Sequence, residues 1–136
     1  CDLLLSHEIE PHLGKEGLTF VFDYPASQAA LAKVHLDEQG DKVASRFECY
    51  HQGIELANGY HELTDADEQD KRFKQDNVMR QALGKPEVTV DTHLVAALAA
   101  GMPECAGVAL GFDRMLMLRA GAGKLADVIS FAIDRA

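Results

Sequence analysis

The chain has 136 residues, 13 basic against 22 acidic, for a formal net charge of −9 with neutral histidines; 47% is hydrophobic and 26% charged. That balance is ordinary for one globular domain, or part of a larger one, and argues against a disordered, collagen-like or membrane-spanning chain. The acidic surplus argues against a broad nucleic-acid-binding surface, whose affinity comes from clustered Lys and Arg.

The three cysteines, Cys1, Cys49 and Cys105, are widely spaced and odd in number, so a reducing cytoplasmic setting is expected rather than a disulfide framework. No apolar run approaches the roughly 18 residues of a membrane span, and Leu3-Leu4-Leu5 is too short for a signal peptide. A first residue that is Cys rather than Met points to a piece of a longer chain.

In chain order, Leu4, Leu5, Ile9 and Leu13 approximate helical spacing over Asp2 to Leu13, with Gly14 as the stop. Leu18 to Phe22 reads as a buried strand entering a turn at Asp23-Tyr24-Pro25. Ala26 to Lys42 reads as irregular, with a solvated loop at Asp37-Glu38-Gln39-Gly40-Asp41. Ser45–Tyr50 and Ile54–Asn58 form a hairpin, with His51-Gln52-Gly53 as a three-residue loop whose glycine takes a left-handed bulge position. In that register Glu48 lies opposite Glu55, while Phe47, Cys49, Ile54 and Leu56 share the other face. Thr64 is placed to cap a helix from about Asp65 to Leu83, stopped by Gly84-Lys85-Pro86. Asp91 caps a second helix through Ala100, ended by Gly101 with Pro103 beyond. Gly107 to Gly111 is a strand leading into a helix at Asp113 to Leu118, and a last helix spans Lys124 to Ile129.

Several residues could carry chemistry. Two carboxylates opposed on one face, Glu48 and Glu55, repel unless a cation joins them, and magnesium suits one or two carboxylates completed by water and phosphate oxygens. From spacing alone, two acids pointing into bulk water on a solvated face is the favoured reading. Asn58, Tyr60 and Glu62 combine an amide, an aromatic ring and an acid, a set that could hold an ammonium-bearing ligand; Asn58-Gly59 is also simply a good turn. Strict alternation puts Asn58 on the opposite face from Glu55, so both serve one site only if the strand bulges or ends near Gly59. Arg114, in the first turn of its helix, can meet a phosphate or pair with Asp113 or Asp127. Gly121-Ala122-Gly123-Lys124 is no P-loop, because Leu125 stands where Ser or Thr is needed. The six histidines lack zinc-ligand spacing.

Taken together, Arg46-Phe47-Glu48, Gly53 through Leu63, Phe73 and Gly107 through Arg114 resemble the C-terminal half of a class II lysyl-tRNA synthetase catalytic domain. Phe22-Asp23-Tyr24-Pro25-Ala26-Ser27 resembles the same family just upstream. The resemblance implies an α/β (α+β) fold, a partial class II core whose antiparallel sheet is flanked by helices. It implies that Glu48 and Glu55 bind Mg2+ and ATP. Asn58, Tyr60 and Glu62 would line the lysine pocket, with Glu62 on the ε-ammonium, and Arg114, the motif 3 arginine, would contact the ATP γ-phosphate. The implied reaction is attack of an amino-acid carboxylate on the α-phosphate, giving an aminoacyl-adenylate and pyrophosphate.

Two departures point within the family. Ala109 stands where motif 3 usually has glycine, so an extra methyl projects toward the amino-acid site. The end, Ile129 to Ala136, lacks the usual Phe-Pro and Arg-Pro. Both are closer to the GenX/PoxA-type paralogues, which ligate β-lysine to a lysine of elongation factor P. The alternatives are a lysyl-tRNA synthetase charging tRNA(Lys), and a synthetase-like binding module without catalysis. Motifs 1 and 2 are not found in residues 1–136. In the family motif 1 builds the dimer interface and motif 2 grips the ATP α-phosphate, so the resemblance implies a homodimer for the full-length protein, and the isolated chain is expected to be inactive. An incomplete sheet would also leave an open edge and apolar surface for self-association.

Overall fold

The computed structural model describes residues 2–133. Cys1 and the Asp134-Arg135-Ala136 end lie outside the described residues.

The chain opens with α1 (Asp2–Leu4), a π turn over Leu5–Ile9 and a 3-10 turn over Glu10–His12, not the single regular helix expected. Pro11 explains the break, since it donates no backbone hydrogen bond and its ring crowds the preceding turn. Gly14 is the expected stop, at φ +71°. It must be glycine, because a Cβ there would lie 2.5 Å from the His51 Cα and 2.7 Å from the Tyr50 carbonyl oxygen. That close approach lets the Gln52 and Gly53 amides donate to the Gly14 and Leu13 carbonyls at 2.9 and 2.8 Å, fastening the N-terminal segment to the hairpin tip.

Among the described residues five strands make one antiparallel sheet: β1 (Thr19–Pro25), β2 (Val34–Leu36), β3 (Lys42–His51), β4 (Ile54–His61) and β5 (Ala106–Leu110). The order is β1-β3-β4-β5, with β2 pairing the start of β3. β1 runs through Asp23-Tyr24-Pro25 instead of turning there, and it is not buried as expected. Phe20 is 54% and Phe22 68% exposed; they share a sheet face with Val108 and Leu110, which are also exposed, while Cys49 and Ala57 in the middle of that face are buried. Tyr24 escapes this by an irregularity at Asp23 (φ 57°), which turns it to the opposite face. There Tyr24, Ala29, Ala32 and Ala44 form a small core, with Leu5, Val21, Val34 and Tyr60 packed on it.

Between Ala26 and Lys42, β2 forms a short strand the sequence did not announce. Asp37 organises the following loop, its Oδ1 accepting from the Gln39 and Asp41 amides.

The hairpin exists, but its register differs from expectation. His51 pairs Ile54, so the loop is two residues, Gln52 (φ 51°) and Gly53 (φ 72°), a left-handed pair that matches the twist of the strands. Glu48 is opposite Asn58, not Glu55, which pairs Tyr50. The bulge lies between the Cys49–Ala57 and Tyr50–Glu55 pairs, leaving Leu56 as the extra residue.

The helices are α2 (Ala66–Ala82), α3 (Thr92–Gly101) and α4 (Phe112–Ala120). Asp65, rather than Thr64, caps α2, accepting from the Glu68 amide at 2.9 Å. Asp91 caps α3 as expected, through the His93 and Leu94 amides. α2 is docked by Arg72, whose Nη1 donates to the Ala30 and Ala32 carbonyls at 3.1 and 2.8 Å. The expected last helix is only a 3-10 turn, Leu125–Asp127, without a capping side chain; so short a segment cannot sustain a helix without packing support. Among the described residues no helix is long and apolar enough to cross a membrane. Cys49 and Cys105 are free thiols.

Candidate active site

One cross-strand row carries the centre of the site. Val21, Glu48, Asn58 and Ala109 stand side by side on β1, β3, β4 and β5, and the neighbouring row is Arg46, Tyr60 and Gly107. The extra residue at Leu56 resets the alternation of β4, so Glu55 and Asn58, three positions apart, face the same way. A bulge upstream of Gly59 thus meets the condition that the sequence imposed for both to serve one site.

The bulge also positions Arg114. It frees the Leu56 carbonyl to accept from the Gly111 amide at 2.8 Å, just ahead of α4, and the Glu55 carbonyl to accept from Arg114 Nη1 at 2.7 Å. The guanidinium stands 3.4 Å from Glu55 Oε2. Arg114 therefore pairs with Glu55, not with Asp113 or Asp127. Both side chains remain solvent-accessible, at 44% and 36%.

Glu48 is the opposite case, buried at 6% exposure. Its Oε2 accepts from the Tyr24 hydroxyl at 2.7 Å and from the Tyr50 hydroxyl; its Oε1 accepts from Arg46 Nη2 and from Asn58 Nδ2, the latter at 3.2 Å. Four donors offset the desolvation of a buried carboxylate, and Arg46 balances its charge. Burial, together with hydrogen bonding to and the charge of Glu48, pushes both phenols above the usual tyrosine range. Arg46 lies over the Tyr24 ring at 4.6 Å and near the Tyr60 ring at 5.7 Å, and its Nη1 donates to the Gln28 carbonyl.

Asn58 keeps one atom in reserve. Its amide nitrogen faces Glu48, the orientation that a carboxylate oxygen requires of it, while its Oδ1 is buried with no hydrogen-bond partner among the described residues. An unpaired buried acceptor invites a donor.

Glu62 continues the Asn58, Tyr60 alternation just past β4. Its amide donates to the Cys105 carbonyl at 3.0 Å, and it bridges Ala32. Its Oε1 occupies the space where a Gly107 side chain would begin. Glu104 ties the loop before β5 to Lys33 and to His61 Nε2, the latter at 3.1 Å. The Lys33 hydrogen bond and charge, aided by His61, hold the Glu104 carboxyl below its ordinary range.

Tyr24, Tyr50 and Glu104 were not expected at the site. The alternation of Arg46, Glu48 and Tyr50 was a usable signal for Tyr50; Tyr24 depends on the register of β1 and on the Asp23 irregularity, which no local pattern announces.

Comparison with known proteins follows the same lines. The chain is 58% identical over 134 residues to the elongation factor P–(R)-β-lysine ligases of Salmonella arizonae and Salmonella gallinarum, and 57% identical to that of Salmonella dublin. Each match takes in 98% of this chain and 41% of the relative, so the chain spans less than half the length of these curated relatives. The family model for class II tRNA synthetases (D, K and N) matches residues 3–135, and the chain belongs to that family.

Proposed function

We propose that this chain is the C-terminal part of the catalytic domain of an ATP-dependent ligase that activates β-lysine as an adenylate and transfers it to a lysine of elongation factor P in the cytoplasm. The observation that carries the reading is the row Glu48–Asn58–Ala109 with the unpaired Asn58 Oδ1 in it. An acceptor waiting for a donor, beside an alanine methyl, suits an amine whose position matters. The similarity to ligases of that name supports the substrate and the acceptor.

Glu62 receives the side-chain ammonium, Tyr60 offers its ring, and Asn58 Oδ1 accepts from the backbone amine. The charge of Glu48 is balanced by Arg46, so Glu62 supplies the pocket's net negative charge. Arg114 binds the γ-phosphate end of ATP, exchanging its 3.4 Å contact with the Glu55 carboxylate for phosphate oxygens. The substrate carboxylate attacks the α-phosphate and pyrophosphate leaves. The acceptor amine then attacks the carbonyl of the adenylate and AMP leaves. The work of these residues is orientation and charge neutralisation.

A magnesium ion would be held at Glu55, whose accessible carboxylate has Arg114 at 3.4 Å, with water and phosphate oxygens completing its shell; among the described residues no cluster of three or more ligating side chains gathers there. Glu48 joins it only by exchanging one of its four donors for the cation. When bound, the ion neutralises phosphate charge at the leaving group. The α-phosphate and adenine contacts, and a homodimer interface, belong to parts of the full-length protein outside residues 1–136, so the isolated chain forms no adenylate.

The test is ATP–pyrophosphate exchange by the full-length protein. Dependence on β-lysine, with the KM for β-lysine raised roughly 10-fold or more by Glu62→Gln, is expected. An unchanged KM removes Glu62 from the ammonium. The rival reading, a lysyl-tRNA synthetase charging tRNA(Lys), predicts exchange driven equally well or better by α-lysine.

A further inference from the structure

Tyr24 and Tyr50 have no part in the chemistry above, yet both are buried, at 4% and 1% exposure, and both aim their hydroxyls at one atom, Oε2 of Glu48. Tyr24 reaches it only because Asp23 adopts φ 57°, in the left-handed region that L side chains rarely occupy. Backbone of that kind persists where its surroundings impose it. The other oxygen, Oε1, receives Arg46 and Asn58. Two donors on each oxygen fill the lone pairs of a carboxylate.

The terminal torsion of a glutamate is soft and roughly two-fold. Held from one side only, the Glu48 carboxylate could turn and carry the Asn58 amide with it. Two phenols on Oε2 remove that freedom without adding charge, so Glu48 still balances Arg46. Neither phenol ionises at working pH, because burial and the neighbouring carboxylate oppose it.

We propose that Tyr24 and Tyr50 are positioning residues for the amino-acid pocket: by pinning Oε2 of Glu48 they fix Oε1, and through it the Asn58 amide, so that Asn58 Oδ1 points in one direction. An acceptor of fixed direction demands a donor at a fixed place. α-Lysine and β-lysine differ in which carbon carries the backbone amine, so the clamp bears on the choice between them. The inference rests on reading this sheet face as the amino-acid pocket.

The experiment uses the full-length protein with Tyr24→Phe, Tyr50→Phe and both, each keeping its ring. ATP–pyrophosphate exchange gives kcat/KM for β-lysine and for α-lysine. The expected result is a roughly 10-fold fall in the β-to-α ratio for the double variant, with smaller falls in the single variants, which also carry the test should the double variant not fold. A general loosening of the core would depress both substrates alike and leave the ratio unchanged, and that outcome in any folded variant overturns the proposal. Ala109→Gly is the control for the pocket itself. If it moves the ratio and the tyrosine variants do not, the clamp is wrong and the pocket stands; if none of them moves it, the pocket reading has failed.

Discussion

Asn58 Nδ2 donates to Oε1 of Glu48 at 3.2 Å, and this bond leaves Asn58 Oδ1 buried and, among the described residues, without a hydrogen-bond partner. The two residues are cross-strand neighbours, so the pairing of β3 with β4 brings the amide against the Glu48 carboxylate. Replacing Asn58 with Asp puts a second carboxylate against Glu48, and like charges at that distance cannot both remain ionised without penalty. In the full-length enzyme, Asn58→Asp is expected to cut kcat/KM for the amino acid by roughly 10-fold or more in pyrophosphate exchange. Near-wild-type values would show that the amide does not face substrate.

Gly107 separates function from stability. A methyl there would overlap Glu62 Oε1, the far end of a flexible side chain that can swing aside at little structural cost. Gly107→Ala should therefore leave the unfolding temperature of the full-length protein nearly unchanged while raising the KM for the amino acid roughly 10-fold. A large loss of stability with an intact KM is the contrary result.

Glu62 and Gly107 were visible in the sequence as motif residues, and the hairpin was visible from its alternation and from Gly53. Its register was not, because whether the turn takes two residues or three, and where the bulge falls, depends on pairing between strands rather than on any one residue. Nothing in the side chain of Leu56 announces that it is the extra residue. The need for a bulge was nonetheless derivable, since without one Glu55 and Asn58 could not share a face. The apolarity of Phe20 and Phe22 does not translate into burial, because burial on that face is confined to its centre at Cys49 and Ala57 and does not reach β1. Pro11 and the Asp23 irregularity decided the remaining differences at the N-terminus and in β1.

Ala109 lies directly opposite Asn58 on β5. If this face is the proposed amino-acid pocket, its methyl fills space that glycine would leave to the substrate, and one methyl group in a pocket discriminates by roughly 10- to 200-fold. Ala109→Gly is expected to raise the use of α-lysine relative to β-lysine by roughly 10-fold, measured as the ratio of kcat/KM values. An unaltered ratio would take the methyl out of specificity.

The exposed Lys33–Glu104–His61 tie holds the loop ahead of β5. Because Lys33, with His61, depresses the Glu104 carboxyl in the folded state, its contribution is present above the ordinary carboxylate pKa, about 4.3, and is lost as pH falls through the lower folded value. Glu104→Gln should slightly lower the melting temperature at pH 7, as expected of a surface pair. The gap to wild type should close as the solution is acidified through that window. A gap that stays constant with pH would mean the tie does not act through charge.

The acceptor decides the central claim. The full-length protein is supplied with ATP, Mg2+ and radiolabelled β-lysine or lysine, in the presence of both elongation factor P and tRNA(Lys), and the two acceptors are separated and counted. Label from β-lysine on elongation factor P is the predicted result. Label from lysine on tRNA(Lys) alone would contradict it and return the chain to the lysyl-tRNA synthetases proper.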